Sequence, residues 1–112
     1  MTMKKIEDVG SAEFAPTALL KEKGYNLSQI IYNLGAIYSI AAVKFKDDIY
    51  YQKGVEMFRL GLKHSPNRKM FLYGLFGLYQ FKADENGMNE IGGVILKYWP
   101  QDEKIIKIIN QR

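Results

Sequence analysis

The side chains that could perform acid–base or nucleophilic chemistry are few in this sequence. Histidine occurs once, as His64, and cysteine is absent, so the chain offers neither a thiol nucleophile nor thiolate ligands for a metal. A lone histidine without a second histidine or a nearby acidic cluster cannot form a catalytic triad or a metal site. The sequence therefore predicts a non-enzymatic protein with no catalytic residue, no metal site and no cofactor.

After residue 16, carboxylates form three adjacent pairs, an arrangement that could support paired-carboxylate catalysis. Each pair stands where a helical pattern begins, and an acidic side chain there caps the helix and interacts favourably with its dipole. Capping is therefore the interpretation that we favour over catalysis. The pairs are Asp47-Asp48, Asp84-Glu85 and Asp102-Glu103.

Two glycines in the sequence GLFG, Gly74 and Gly77, lack the flanking strand that a phosphate-binding loop needs. They lie inside a predicted helix, where a glycine costs ~1 kcal/mol relative to alanine. A close approach of a neighbouring helix would compensate for that cost. We therefore expect another helix to pack against both glycines.

The elements that carry these residues are predicted to be helices throughout, without a sheet, because apolar residues recur at helical spacing. Asn26 is a suitable N-cap for the first long helix, and Pro66 and Pro100 end the second and fourth. A mobile lead-in is expected over residues 1–15. The predicted helices span residues 16–23, 27–45, 48–65, 68–82, 87–99 and 103–111.

One helix–turn–helix pattern occurs twice between Asn26 and Pro100, with the same spacing of landmark residues within each helix. This pattern resembles the tetratricopeptide repeat, which has a large apolar residue, Leu, Gly, Tyr, and then Ala, an aromatic residue, Ala and Pro at those offsets. The likeness covers about two thirds of the chain. The landmarks are Ile31, Leu34, Gly35, Tyr38, Gly54, Phe58, Gly61 and Pro66 in the first copy, and Leu72, Leu75, Phe76, Tyr79, Met88, Gly92, Ile95 and Pro100 in the second.

The resemblance implies an all-α domain over residues 16–112, in which two antiparallel helical hairpins stack in a right-handed superhelix. A short helix precedes them and a capping helix follows over residues 102–111. The copies differ in two respects: the small residues of the second helix are redistributed, and the first copy is longer by about two helical turns. We expect each arm of the first hairpin to be extended by roughly one turn.

The function implied by the resemblance is protein–protein interaction. In tetratricopeptide arrays the first helix of each hairpin lines a concave groove that receives a peptide or a helix of a partner, whereas Tyr38 and Tyr79 match packing positions. Asn33 and Lys104 match positions of a clamp for a peptide's terminal carboxylate, although Gly74 and Ile108 break that pattern. For the aromatic residues of the groove, core packing is the alternative. By register, the groove positions are Gln29, Tyr32, Asn33, Ala36, Ile40, Met70, Tyr73, Gly74, Gly77 and Phe81.

Self-association, or membership of a longer repeat array, is the alternative function, because about three repeats are usually needed for a stable array. Ile105, Ile108 and Ile109 share one face of the last helix, and Ile106 points away from it. Ile106 and the nearby Trp99 are therefore predicted to be exposed and to form a weak homodimer contact. A helical bundle with a small-molecule pocket is a third possibility.

Composition narrows the partner classes. The 112 residues suffice for one domain with a modest core. The net charge of +4 comes from scattered lysines and arginines, so no nucleic-acid surface is indicated. The longest apolar run, residues 30–43, is shorter than the ~20 residues of a bilayer span, and no membrane insertion is predicted. The expected partner of this soluble segment is a protein or a peptide.

Overall fold

A computed structural model describes residues 26–111, which form five α-helices and contain no strand. The prediction of an all-helical chain is confirmed for this part, and the helix bounds agree with the predicted ones to within two residues. The predicted lead-in and the helix over residues 16–23 lie outside the described residues. The helices are α1 (Leu27–Phe45), α2 (Asp48–His64), α3 (Lys69–Phe81), α4 (Glu85–Tyr98) and α5 (Glu103–Asn110).

Four of the five described helices begin with a side-chain cap, and α3 does not. The carboxylates of Asp47, Asp84 and Asp102 accept hydrogen bonds from backbone N–H groups of the following turns, at 2.7, 3.1 and 3.1 Å respectively. Asn26 caps α1 in the same way, at 3.2 Å. These bonds satisfy donors that a helix leaves unpaired at its start. The interpretation of the acidic pairs as helix caps is confirmed for the first member of each pair.

Consecutive helices pack in opposite directions. Gly35 and Ser39 of α1 lie against Phe58 and Gly54 of α2, so residue numbers rise along one helix as they fall along the other. The same inverse order relates α2 to α3, because Gly54 lies against Leu78 and Gly61 lies against Phe71. It follows that α1 and α3 run parallel to each other, and they contact along one side. Helix α5 packs against α4.

The ring of Phe58 fills the space where α1, α2 and α3 meet. Only 2% of the residue is exposed, which confirms the prediction that it is buried between the hairpins. A Cβ atom on Gly35 would lie 2.6 Å from the ring, and one on Gly74 would lie 2.8 Å from it. The close approach predicted at Gly74 is therefore confirmed. The one predicted at Gly77 is wrong, because no atom lies within 4 Å of a Cβ placed there.

The remaining core follows the paired landmarks. Tyr38 and Tyr79 are both buried, as expected for packing positions. The core includes side chains from each of the five described helices. The largest of the almost completely buried side chains are Phe71, Leu72, Leu75 and Ile95.

Helix α5 buries more of its surface than the sequence predicts. Ile105 is 2% exposed, and Ile108 and Ile109 pack against the core, so the shared face of these isoleucines is confirmed. Ile106, however, is half-buried and not exposed, and Trp99 is half-buried as well. The exposure predicted for Ile106 and the surface near Trp99 is therefore only partial, because this short helix and the preceding turn lie close against α3 and α4.

Candidate functional site

A groove with a volume of about 390 Å³ lies between the parallel helices α1 and α3. Phe58 reaches its floor from α2, and the other lining residues belong to α1 and α3. The lining is mostly apolar or aromatic, which is the usual character of a binding cleft. We call this feature the α1–α3 groove. Its lining residues are Tyr32, Ala36, Ser39, Ile40, Val43, Phe58, Tyr73, Gly74, Gly77, Leu78 and Phe81.

The groove stays open because two of its wall positions carry very small side chains. Gly77 faces empty space, with no atom within 4 Å of a Cβ built on its backbone. Ala36 contributes only a methyl group from the α1 wall. A larger residue at either position would narrow the groove. Gly77 therefore contributes to the shape of the groove and not to helix packing.

Two half-buried tyrosines line the groove, one on each wall, and both are held by neighbouring groups. The ring centroid of Tyr32 lies 5.8 Å from that of Phe58 and 6.4 Å from that of Phe71. The hydroxyl of Tyr73 donates a hydrogen bond to Asp102, and its ring lies 6.2 Å from that of Trp99. Because these contacts fix both rings, a ligand would meet a preformed aromatic surface.

The structure brings most of the predicted groove residues together. Four of the predicted residues do not line the groove. Gln29 and Asn33 are exposed, and the Gln29 side chain donates a hydrogen bond of 3.0 Å to Asn33. Met70 packs against the core, and Lys104 is exposed on α5. The predicted residues that do line the groove are Tyr32, Ala36, Ile40, Tyr73, Gly74, Gly77 and Phe81.

Sequence analysis missed four lining residues: Ser39, Val43, Phe58 and Leu78. Val43 could have been found, because it continues the row of Tyr32, Ala36 and Ile40 by one more helical turn. Phe58 was correctly expected to be buried, but its position on the groove floor depends on how three helices meet. No pattern within a single helix carries that information.

Exposed apolar side chains extend the groove at the end where α1 turns into α2. Ile40 is 66% exposed, Val43 50% and Phe81 42%. Beyond them, Phe45 is 63% and Ile49 65% exposed. Helix α1 has 19 residues and α3 has 13, so the end of α1 continues past its parallel neighbour. We call the exposed pair Phe45 and Ile49 the α1–α2 tip.

One polar network that ties three helices together lies away from the groove. Arg59 of α2 donates to the hydroxyl of Tyr79, at 3.0 Å from Nε, and forms a 3.0 Å ion pair with Glu90 of α4. The hydrogen bond to Glu90, followed by that to Tyr79, raises the pKa of Arg59 despite its partial burial. Burial, with the nearby carboxylate of Asp84, raises the pKa of Tyr51. This network crosses three helices and serves the fold.

The single histidine of the chain belongs to no cluster of metal-ligating side chains in residues 26–111. His64 is exposed at the end of α2. No group of three or more His, Cys, Asp or Glu side chains in this part of the chain is arranged to hold a metal ion. None of the helices described is both long and apolar enough to cross a membrane.

Comparisons of the chain with family models, curated proteins and solved structures gave no match.

Proposed function

We propose that the chain is a non-enzymatic interaction module, acting as an adaptor or scaffold, that binds a helical segment of a partner protein in the α1–α3 groove. The observation that supports this most strongly is the open apolar groove with Ile40, Val43 and Phe81 exposed along it. Contiguous exposed apolar surface usually marks a contact site. Fixed aromatic rings on both walls suit such a surface, because tyrosine is enriched at interfaces.

The dimensions of the groove favour a short helix as the occupant. The α1 wall extends from Tyr32 to Val43, which corresponds to about 16 Å at the helical rise of 1.5 Å per residue. A partner helix of about three turns would match this length. Helices that bind in grooves contribute apolar anchors at positions i, i+3 or i+4, and i+7. The open space above Gly77 is the natural place for one such anchor.

The proposal includes kinship with tetratricopeptide repeats, with the two hairpins arranged as a right-handed superhelix. Equivalent landmarks support it, since Tyr38 and Tyr79 are both buried and α1 and α3 lie side by side. The hairpin turns support it as well. Lys46 and Ala83 both have a positive φ, 52° and 55°, and each directly precedes an aspartate that caps the next helix.

A selection from a library of random peptides of about 15 residues tests the proposal, with binding compared between the native chain and Gly77→Glu. The glutamate has room to enter the groove and would place a charge against apolar walls. We expect the selected peptides to bind Gly77→Glu about tenfold more weakly or worse, measured by fluorescence anisotropy.

Gly93→Glu is the matched control. Gly93 is an exposed helical glycine on α4, and a Cβ placed there also meets no atom within 4 Å. Both substitutions replace glycine by the same residue in a helix, so their effects on helix stability should be similar. Peptides that bind both variants as well as the native chain, or lose affinity equally for both, would contradict groove binding.

Self-association remains the alternative function, and the α1–α2 tip is the observation that favours it, since Phe45 and Ile49 are exposed apolar side chains. The predicted contact through Ile106 and Trp99 is a second possible interface, although both residues are half-buried. Sedimentation velocity at rising concentration decides between the functions. A chain that remains monomeric removes the alternative, and Ile49→Glu and Ile106→Glu identify the interface if it associates.

A further inference from the structure

The two helices that form the walls of the α1–α3 groove each contain one lysine and no carboxylate. Lys44 is the one charged residue of α1, and Lys69 is the one charged residue of α3. The remaining helices differ, since α2, α4 and α5 each have an aspartate N-cap and an acidic residue in the first turn. The acidic residues within residues 26–111 are Asp47, Asp48, Glu56, Asp84, Glu85, Glu90, Asp102 and Glu103.

Carboxylates near the ends of the groove are already bound to other groups. Asp47 accepts backbone N–H bonds at the start of α2, and Asp48 forms an ion pair with Lys82. At the other end, Asp102 accepts hydrogen bonds from the Tyr73 hydroxyl and from a backbone N–H of α5. These carboxylates keep their negative charge in such contacts, so Asp47 and Asp48 offset part of the positive charge of the lysines at the tip end.

Two exposed lysines at the tip end of the groove are left without a carboxylate partner among the described residues. The ion pairs within residues 26–111 are Arg59–Glu90 and Lys82–Asp48, and neither includes Lys44 or Lys46. Both lysines are exposed and flank the apolar side chains of Val43 and Phe45. This end of the groove thus combines exposed apolar surface with a net positive charge, since Lys44, Lys46 and Lys82 outnumber Asp47 and Asp48.

We infer that the partner segment is an acidic amphipathic helix, with apolar residues on Ile40, Val43 and Phe81 and carboxylates next to Lys44 and Lys46. The inference rests on the proposed function, since it names the partner of that same groove. Apolar burial would supply most of the affinity. Opposite charges would accelerate association and select acidic partners over basic ones.

An anionic membrane also presents negative charge next to apolar material, but the shape of the site favours a protein. The exposed residues Ile40, Val43 and Phe81 line a groove with two walls. A helix can enter such a groove and contact both walls, whereas the flat surface of a bilayer cannot follow it. The groove is therefore better suited to a partner helix than to lipid.

The experiment uses the peptides whose binding is weakened by Gly77→Glu in the library selection. We expect these peptides to contain an excess of Asp and Glu. Replacing their carboxylates by the corresponding amides should weaken binding about fivefold in ~50 mM salt, and the difference should shrink in ~0.5 M salt because salt screens exposed charges. The double variant Lys44→Glu/Lys46→Glu should weaken the acidic peptides about tenfold.

The matched control is Lys63→Glu/Lys97→Glu, which makes the same change of charge at exposed lysines near the ends of α2 and α4. This variant should change peptide binding by no more than about twofold. The comparison separates a local contact with Lys44 and Lys46 from an effect of net charge on association.

Three results would overturn the inference. Peptides that depend on Gly77 but show no acidic excess, or that tolerate amide replacement and the Lys44→Glu/Lys46→Glu change, would show that the groove binds a partner that is not acidic. Failure to obtain any peptide that depends on Gly77 would remove the proposed function and the inference together. Lysine-dependent binding to vesicles of phosphatidylcholine and phosphatidylserine, without peptide binding, would identify a membrane as the occupant.

Discussion

In each hairpin a glycine on one helix packs against a phenylalanine ring on the other helix. The helix that carries the glycine differs between the two hairpins. In the first hairpin the glycine is on α1, where Gly35 faces the ring of Phe58 on α2. In the second the ring is on α3, as Phe76, and the glycine is Gly92 on α4. A glycine opposite a phenyl ring occupies the same total volume whichever helix carries the ring. The two hairpins therefore share a glycine–phenylalanine contact, even though the two residues do not stand at equivalent positions.

The two ring–glycine pairs differ in what lies beyond them. Phe58 reaches past Gly35 to Gly74, so its ring joins the first hairpin to the second. Gly92 instead meets Ile109 of α5, at 2.5 Å from a Cβ built on the glycine. The first pair therefore lies at the centre of the molecule, and the second lies under its last helix. Substitutions of the two glycines should therefore differ in their effect on stability.

The largest expected effect comes from removing the central ring. Phe58→Ala should lower the free energy of unfolding by ~3–5 kcal/mol, because it leaves a cavity between three helices. A loss of this size is comparable to the whole stability of a small domain, and urea denaturation followed by circular dichroism measures it.

Phe76→Ala and Phe81→Ala complete this comparison. Phe76 is also buried, and its removal should cost a similar amount. Phe81 is 42% exposed in the groove, and its removal should change stability by no more than about 0.5 kcal/mol. A Phe58→Ala chain as stable as Phe81→Ala would show that the ring does not join the hairpins.

A smaller effect separates the two glycines. A Cβ on Gly35 would lie 2.6 Å from a ring that Gly74 confines on its other side. We expect Gly35→Ala to lower stability by about 1–3 kcal/mol, the usual cost of overpacking. Gly92→Ala should be nearly neutral, because the terminal methyl of Ile109 can rotate away and alanine favours the helix by ~1 kcal/mol. Thermal unfolding of the two variants checks this difference, and equal costs would contradict the view that only the central pair is confined.

The same contrast explains what the sequence could predict. Helix starts and ends were predicted because caps and prolines act within a few residues of the chain, as at Asp47 and Pro66. Burial of Phe58 followed from its place on the apolar face of a helix. Most groove residues were predicted because the resemblance to tetratricopeptide repeats assigned one side of α1 and of α3 to a groove.

Features that depend on several helices were not predictable. Gly74 and Gly77 give the same local signal, and only the path of α2 decides that one is packed and the other open. The extra length of the first hairpin was expected to divide evenly between its arms. It lies mostly in α1, which has 19 residues against 13 in α3, whereas α2 has 17 against 14 in α4. The exposed apolar tip is a consequence of that uneven division.

The smallest expected effect concerns a turn that the two hairpins share. Lys46 and Ala83 are the described non-glycine residues with positive φ, and each is followed by a capping aspartate. The N–H of Asp47 bonds to the carbonyl of Ala42 at 3.3 Å, and the N–H of Asp84 bonds to the carbonyl of Tyr79 at 2.9 Å. These equivalent bonds are typical of a helix end that requires a left-handed residue.

Glycine adopts the left-handed conformation without the cost of ~1–2 kcal/mol that other residues pay, although it loses more entropy on folding. Ala83→Gly should therefore raise the free energy of unfolding by about 0.5 kcal/mol, and Lys46→Gly by a similar amount. Ala41→Gly, inside α1, is the control and should lower it by ~1 kcal/mol. Urea denaturation shows whether each variant raises or lowers the free energy of unfolding. A loss of stability in Ala83→Gly equal to that in Ala41→Gly would show that the turns are not left-handed. Lys46→Gly should also weaken acidic peptides in the groove, whereas Ala83→Gly should not, because only the first turn supplies a lysine to the proposed partner.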